Sequence, residues 1–343
     1  KLRIVHARSY VPSVIALVLK KVLGIYYIFD MRGFWADERV DGGIWPRNSY
    51  LFRISKKLEE YFLLNADIVI SQPFFPYYVT REKMESAPLL KMAITAGIGS
   101  DHVDLQAAMD HDIDVVEVTY CNSRSVAEHI VMQILVLVRD FTTQHNIVNE
   151  GGWHIADAVS RSYDVEGMHV GTIAAGRIGI DMLRKMKPFD VHLHYFDKHR
   201  LGNEVERELG LIYHDSVESL VAACDVINIS CPLHPETEHL FDDEMIAKGK
   251  KGAYIINTAR GKIINESDLV VALKKKTIAG AGLDVFESEP IGKENQLTKI
   301  QNIVLAPHIG SSTKETREEM ARITVKNLNL GINGKKPIYS VGY

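Results

Sequence analysis

The sequence is short of cysteine, of long apolar runs and of excess positive charge. Three cysteines in 343 residues, Cys121, Cys224 and Cys231, form no C-x-x-C pair. A disulfide framework is therefore not expected, and a reducing, cytoplasmic setting is. The run Val14–Leu19 ends at Lys20 and Lys21. It falls far short of the ~20 apolar residues a membrane span needs, so no membrane partner is expected. With 40 Lys and Arg against 44 Asp and Glu, the net charge is −4, which disfavours nucleic acid as a partner. The chain opens on Lys1 rather than Met, so the natural start is expected upstream. H-E-x-x-H and G-x-S-x-G are both missing, and no metal site is expected: His192 and His194 point the same way on one strand but have no further ligand pair.

What is present suits a core-forming chain. Hydrophobic residues make up 46%, enough for about two domains at this length. From Val165 onward, apolar runs alternate with helical patterns. Strands are expected at His169–Ala174, Val191–Phe196, Asp225–Ser230, Ala253–Thr258, Ala279–Phe286 and Asn302–Ala306. Their continuous apolar character predicts a doubly wound parallel sheet covered on both faces. Residues 1–110 repeat the alternation less regularly, with strands at Leu2–Val5, Ile25–Phe29, Asp67–Ser71 and Leu90–Ala96. The segment Met31–Asn48 has no clear period. Between the two regions, Ser125–Phe141 reads as a long apolar helix, opened by a capping box Ser125-Val-Ala-Glu128.

The fold class expected is α/β, with two Rossmann-like domains. A doubly wound parallel sheet spans 123–310, and a smaller flavodoxin-like domain is formed by 1–122 and 311–343.

The chemistry gathers at strand ends. Ala174-x-Gly176-x-x-Gly179 follows a strand and opens a helix, as a dinucleotide fingerprint does. Ala174, Gly176, Arg177, Ile178 and Gly179 are thus candidate cofactor contacts. Asp197 ends the next strand, where a carboxylate accepts ribose hydroxyls and repels a 2′-phosphate, so NAD is expected. Lys198 and Arg200 beside it weaken that discrimination. Ligands of such sheets bind beyond the carboxyl ends of the strands, which directs attention to Pro232, His234, Thr258, Arg260, Asp284, Glu289 and His308. Arg260 is either an exposed structural residue or a carboxylate-binding fork. His308 is either a surface histidine or a group for proton transfer, and a Glu289 partner would favour its imidazolium.

Several segments carry a resemblance: Ser71-Gln-Pro-Phe-Phe-Pro76, Thr95–Leu105, Glu117–Ser123, Ala174–Gly179 and Asn257-Thr-Ala-Arg-Gly261. Over about 65–262 the chain resembles the NAD-dependent formate dehydrogenases, a branch of the D-2-hydroxyacid dehydrogenase superfamily. The resemblance implies a small carboxylate substrate held by Ile98, Asn122 and Arg260, with Phe74 walling the pocket and His308 completing it. It also implies that Asp284 meets the nicotinamide carboxamide, that Thr258 and Pro232 line the cofactor, and that the enzyme is a homodimer. From Ile263 onward, Gly282–Pro290 and Ala306–Ser311 look instead like the glyoxylate reductase type, with Arg260, Glu289 and His308 as the catalytic set. Reduction of glyoxylate or hydroxypyruvate is the alternative this implies. Residues 1–65 resemble the amino-terminal lobe of two-lobed glycosyltransferases, which makes the chain look composite. A protein that binds NAD without turnover, or an interaction module, is the third reading.

Overall fold

The structure, a computed structural model, describes residues 3–30, 36, 39, 40, 44–71 and 79–341. They divide into two compact units, one of Lys1–Cys121 with Arg317–Tyr343 and one of Asn122–Thr316.

In the first unit, β1 (Ile4–Arg8), β2 (Tyr26–Asp30), β3 (Ile68–Ser71), β4 (Met92–Thr95) and β5 (Asp114–Glu117) lie parallel in chain order. A short antiparallel strand, Ser340–Val341, closes the β5 edge with Ser340 opposite Val116. Alternate strand residues serve opposite faces. Tyr27, Phe29, Val69, Ala93 and Val115 pack under Ala16, Leu17, Phe62, Leu63, Met84, Ala107 and Ala108 of the crossover helices. Ile28, Ile70, Ile94 and Val116 pack under Met320 and Ile323 of the last helix, Lys314–Ile332. The order 1-2-3-4-5 differs from the 2-1-3-4-5 of flavodoxin-like sheets. Every crossover therefore steps the same way, and the described crossover helices share one face.

The second unit holds β6 (His169–Ile173), β7 (His192–Phe196), β8 (Ile212–Tyr213), β9 (Val226–Ile229), β10 (Tyr254–Asn257), β11 (Gly280–Leu283) and β12 (Ile303–Leu305). Their order is β12-β11-β10-β9-β6-β7-β8, so the chain reverses direction across the sheet between β6 and β9. That reversal is the switch point at which such sheets bind ligands. Both faces are covered: Ile130, Ile134, Met182 and Leu183 lie over one, Leu220, Val221, Leu269 and Leu273 over the other.

The expected strands form, most of them shorter by one to four residues, with Leu2–Val5 displaced to Ile4–Arg8 and Ile25–Phe29 shifted by one, while β5 and β8 lie outside the expected set. β8 is two residues long, and β5 has only Val115 and Val116 between acidic ends, so neither shows a readable period. The capping box does not form. The helix runs Ser123–Val138 with Asn122 at its cap position, and no side chain caps it. Ser125 Oγ instead lies 3.0 Å from Thr313 Oγ1 and 2.9 Å from Thr316 Oγ1, while Lys185 donates to Glu128. Most of the loop Met31–Asn48 lies outside the described residues.

His192 and His194 take part in an unexpected arrangement. His194 Nε2 meets His169 Nδ1 at 2.8 Å, His194 Nδ1 meets His214 Nε2 at 2.8 Å, and His214 Nδ1 meets Ser219 Oγ at 2.8 Å. His192 stacks on His169. Each shared contact has room for one proton, so the run accepts neutral rings and resists a second charge. Burial pushes His194 down to about 4 and also lowers His169 and His214. Unfolded histidine titrates near 6.5. Between those values the unfolded chain takes up protons that the folded chain excludes. The stabilisation is therefore complete above about pH 6.5 and is lost as pH falls toward 4. Denaturant unfolding at pH 5 rather than 7.5 should show a loss of about 2 kcal/mol from His194. A His194→Gln variant should flatten that dependence; an unaltered slope would remove the histidine run as its cause.

Candidate active site

The glycine loop starts at the end of β6. Ala174, at the first fingerprint position, adopts φ 71°, the left-handed region that glycine enters freely and alanine enters at a cost of about 1 kcal/mol. Gly176 sits at the N-terminus of helix Arg177–Met186, and a Cβ there would meet nothing within 4 Å. A Cβ on Gly179 would collide with the Ala174 carbonyl, so this glycine lets the helix close onto the strand. Open backbone at Gly176 and a helix N-terminus together fit a pyrophosphate.

Asp197 already has backbone work. The Ala175 N–H donates to Oδ2 at 2.8 Å and the His199 N–H to Oδ1 at 2.9 Å. The carboxylate pins the glycine loop to the end of β7, and each oxygen keeps a second lone pair for a ribose hydroxyl. The two neighbouring cations are engaged. Lys198 pairs with Glu236; Arg200 forks onto Glu206 at 2.9 and 3.0 Å and lies over the Tyr213 ring. After β9, the Thr237 hydroxyl donates to the Pro232 carbonyl and accepts from the His234 N–H, which shapes that turn.

Beyond β10, the buried Asn257 holds a tight turn. Its Nδ2 donates to the Arg260 carbonyl at 2.9 Å and its Oδ1 accepts from the Ala259 N–H at 3.0 Å. Gly261 lies so close to the Phe286 carbonyl carbon that no side chain fits. Arg260 is thus anchored on both sides, and its Nη1 donates to the Ala259 carbonyl at 2.8 Å. Thr258, within the same turn, is half-buried.

His308 Nδ1 lies 2.8 Å from Glu289 Oε2, and the other carboxylate oxygen of Glu289 accepts from the Phe286 N–H at 3.0 Å. The expected Glu289–His308 pair is therefore formed. His308 itself has φ 55°. The next two residues explain how that conformation is held: the Ile309 and Gly310 N–H groups donate to Asp284 Oδ1 and Oδ2 at 2.8 and 2.7 Å. Asp284 is 2% exposed, and burial raises its pKa despite those two donors. A Cβ on Gly310 would sit 2.9 Å from Asp284 Oδ2.

Sequence reasoning missed His129, whose Nε2 is 3.7 Å from Asp284 Oδ1 and 3.2 Å from Gln133 Nε2. Asn257, which opens the strand-end segment Asn257-Thr-Ala-Arg-Gly261 singled out from the sequence, holds the turn rather than pointing to a ligand role. Asn122 Oδ1 is buried with no hydrogen-bond partner among the described residues, and a half-turn of the amide would present Nδ2 there instead. Ile98 follows β4 in the first unit. Phe74 lies outside the described residues.

A parallel sheet with a glycine loop at its switch point, an acidic residue ending the second strand and an arginine with a carboxylate–histidine pair at the strand ends define an NAD-dependent dehydrogenase. Comparison with known proteins agrees. The family model described as D-isomer specific 2-hydroxyacid dehydrogenase, NAD binding domain, matches residues 131–310. The formate dehydrogenase of Pseudomonas sp. (strain 101) is 50% identical over 273 residues, covering 80% of this chain and 68% of that one. Among solved structures, a Granulicella formate dehydrogenase superposes with TM-score 0.81 at 42% identity, covering 96% of this chain and 83% of its own. An NAD-dependent formate dehydrogenase from Staphylococcus aureus, solved in complex with NAD, gives 0.75 at 33%, covering 93% and 89%. The chain belongs to the D-isomer specific 2-hydroxyacid dehydrogenase family.

Proposed function

We propose that the protein oxidises formate, formate + NAD⁺ → CO₂ + NADH. The observation that carries this reading is the 50% identity to a formate dehydrogenase across most of the chain. Bound NAD supplies the hydride acceptor. Formate carries no hydroxyl proton, so the residues orient and hold charge and need not act as a base. In this reading the Arg260 fork and the Asn122 amide hold the carboxylate, with Ile98 beside it and Phe74 as a wall. His308 donates a hydrogen bond that fixes the C–H direction. Residues 123–310 act as the cofactor domain and 1–122 with 311–343 as the substrate domain. Ala174–Gly179, Asp197, Pro232, His234, Thr258 and Asp284 serve the cofactor. Asp197, together with the engaged Lys198 and Arg200, favours NAD over NADP.

Residues 1–65, with their glycosyltransferase-like sequence, serve in this reading as the opening of the substrate domain; the parallel register of β1, β2 and β3 supports that. A homodimer is supported by the exposed Phe141, Trp153, Ile155, Val159 and Tyr163, and by two helices, Phe141–Asn149 and Ile155–Val159, that bury none of their residues. Among the described residues no helix is long and apolar enough to cross a membrane, which is compatible with a cytoplasmic enzyme.

The Glu289–His308 pair favours a second reading, reduction of a 2-oxoacid such as glyoxylate or hydroxypyruvate, in which a protonated His308 gives its proton to the carbonyl oxygen. NADH absorbance separates the two. Formate with NAD⁺ should generate NADH, and Glu289→Gln should preserve that activity. NADH consumption with 2-oxoacids alone, weakened by Glu289→Gln, would transfer the assignment to the second reading. NAD-induced thermal stabilisation with neither activity would leave a nucleotide-binding protein without turnover.

A further inference from the structure

Helix Tyr10–Leu23 is apolar on both sides. Its inward face, Ala16 and Leu17, is buried against the first sheet. The opposite stripe, Val11, Val14, Ile15, Val18 and Val22, recurs at helical spacing and is 49–74% exposed. The next crossover helix, Tyr50–Leu64, touches it and repeats the pattern, burying Phe62 and Leu63 and exposing Tyr50, Leu51, Ile54, Leu58 and Tyr61. Because both helices lie on the same sheet face, their outward stripes are neighbours. Two helices about 20 Å long and about 10 Å wide present an apolar rectangle of roughly 400 Å². That matches the largest patches on soluble monomers, which usually serve an interaction.

The charge around the patch selects the occupant. The first helix has no acidic residue and exposes Lys21; the second exposes Arg53 and Lys57 against the single exposed carboxylate Glu60. Glu59 is turned inward and accepts from Tyr10 and Lys56. In a chain of net charge −4, this is a locally cationic rim around an aliphatic centre. Two phenols, Tyr50 and Tyr61, add rings suited to the depth where apolar and wet layers meet. Apposing a second copy would set cation near cation, whereas an anionic bilayer satisfies both parts of the surface.

We propose that this two-helix face docks peripherally on an anionic lipid surface, lying on the bilayer without crossing it. Purified full-length protein would be sedimented with vesicles of phosphatidylcholine alone and of phosphatidylcholine with about a third phosphatidylglycerol. Three cations less the one carboxylate leave two net positive charges, which near such a surface correspond to partition on the order of 30-fold tighter on the anionic vesicles, weakening with salt. The double substitution Ile15→Asp, Val18→Asp should abolish binding and leave the thermal melt in place, since both side chains are more than half exposed. Lys21→Glu with Lys57→Glu should remove the preference for anionic lipid. Failure of the wild type to bind, equal partition to both vesicles, or undiminished binding of the aspartate variant would each overturn the proposal. So would self-association in light scattering that the aspartate variant dissolves, because it would give the face to a second copy.

Discussion

Replacing Arg260 with alanine will lower kcat/KM for formate by about 10³-fold while leaving the fold intact. A carboxylate held by a guanidinium fork receives two charge-assisted hydrogen bonds, each of about 1.5–3 kcal/mol, and the pair also sets the direction of the substrate. The backbone around Arg260 keeps most of its support without that side chain: the Ala259 carbonyl loses its Nη1 donor, while Asn257 still holds the Arg260 carbonyl and Gly261 is still fixed by its approach to Phe286. Thermal unfolding should therefore shift little. Lysine at 260 keeps the charge but loses the planar fork, and should recover only part of the rate. Steady-state kinetics of the three forms would check this. A loss under about tenfold in the alanine enzyme would move the carboxylate site elsewhere.

The second large effect is expected at Asp284. Substitution by alanine leaves the buried Gly310 N–H without an acceptor, at about 1–3 kcal/mol, frees the part-buried Ile309 N–H, and releases the left-handed backbone at His308. A fall in kcat of about 10²-fold should accompany the lost stability, because a displaced His308 no longer orients the substrate. The split between parameters separates two roles for Asp284. If the carboxylate acts by positioning the His308 loop, kcat falls with little change in KM for NAD⁺. If it mainly meets the nicotinamide carboxamide, KM for NAD⁺ rises first. Asn at 284 retains one acceptor and should rescue part of the loop effect; no rescue together with a raised KM would favour the direct contact.

The contrast between these two residues shows what was legible in the sequence. Backbone-level features were, because they rest on local pattern: the apolar runs became β6, β7 and β9–β12, and Ala174–Gly179 became the turn between β6 and its helix. The types of residue at strand ends were legible for the same reason. The destinations of side chains were not. Ser125 looked like a local cap, yet its hydroxyl is engaged by residues 188 and 191 positions later. Lys198, read as a weakener of NAD selectivity, is paired with a glutamate 38 residues on. Asp284, expected to meet the nicotinamide carboxamide, also holds backbone 25 and 26 residues downstream, which no local pattern announces. The histidine run needed the register of β6 against β7, which pairs Gly171 with His194 and which no single segment encodes. The order of the first sheet was equally hidden, since apolar strands carry no label for their neighbours.

The pairing of Ser340 with Val116 has a consequence for how the polypeptide emerges from the ribosome. The second unit is one uninterrupted stretch, Asn122–Thr316, and can collapse as soon as it has left the exit tunnel. The first unit must wait, its β5 edge and one sheet face bare, until Met320, Ile323 and finally Ser340 have been translated. Vectorial synthesis thus completes the later-encoded unit first, and the earlier-encoded sheet spends translation as the less covered half of the nascent chain.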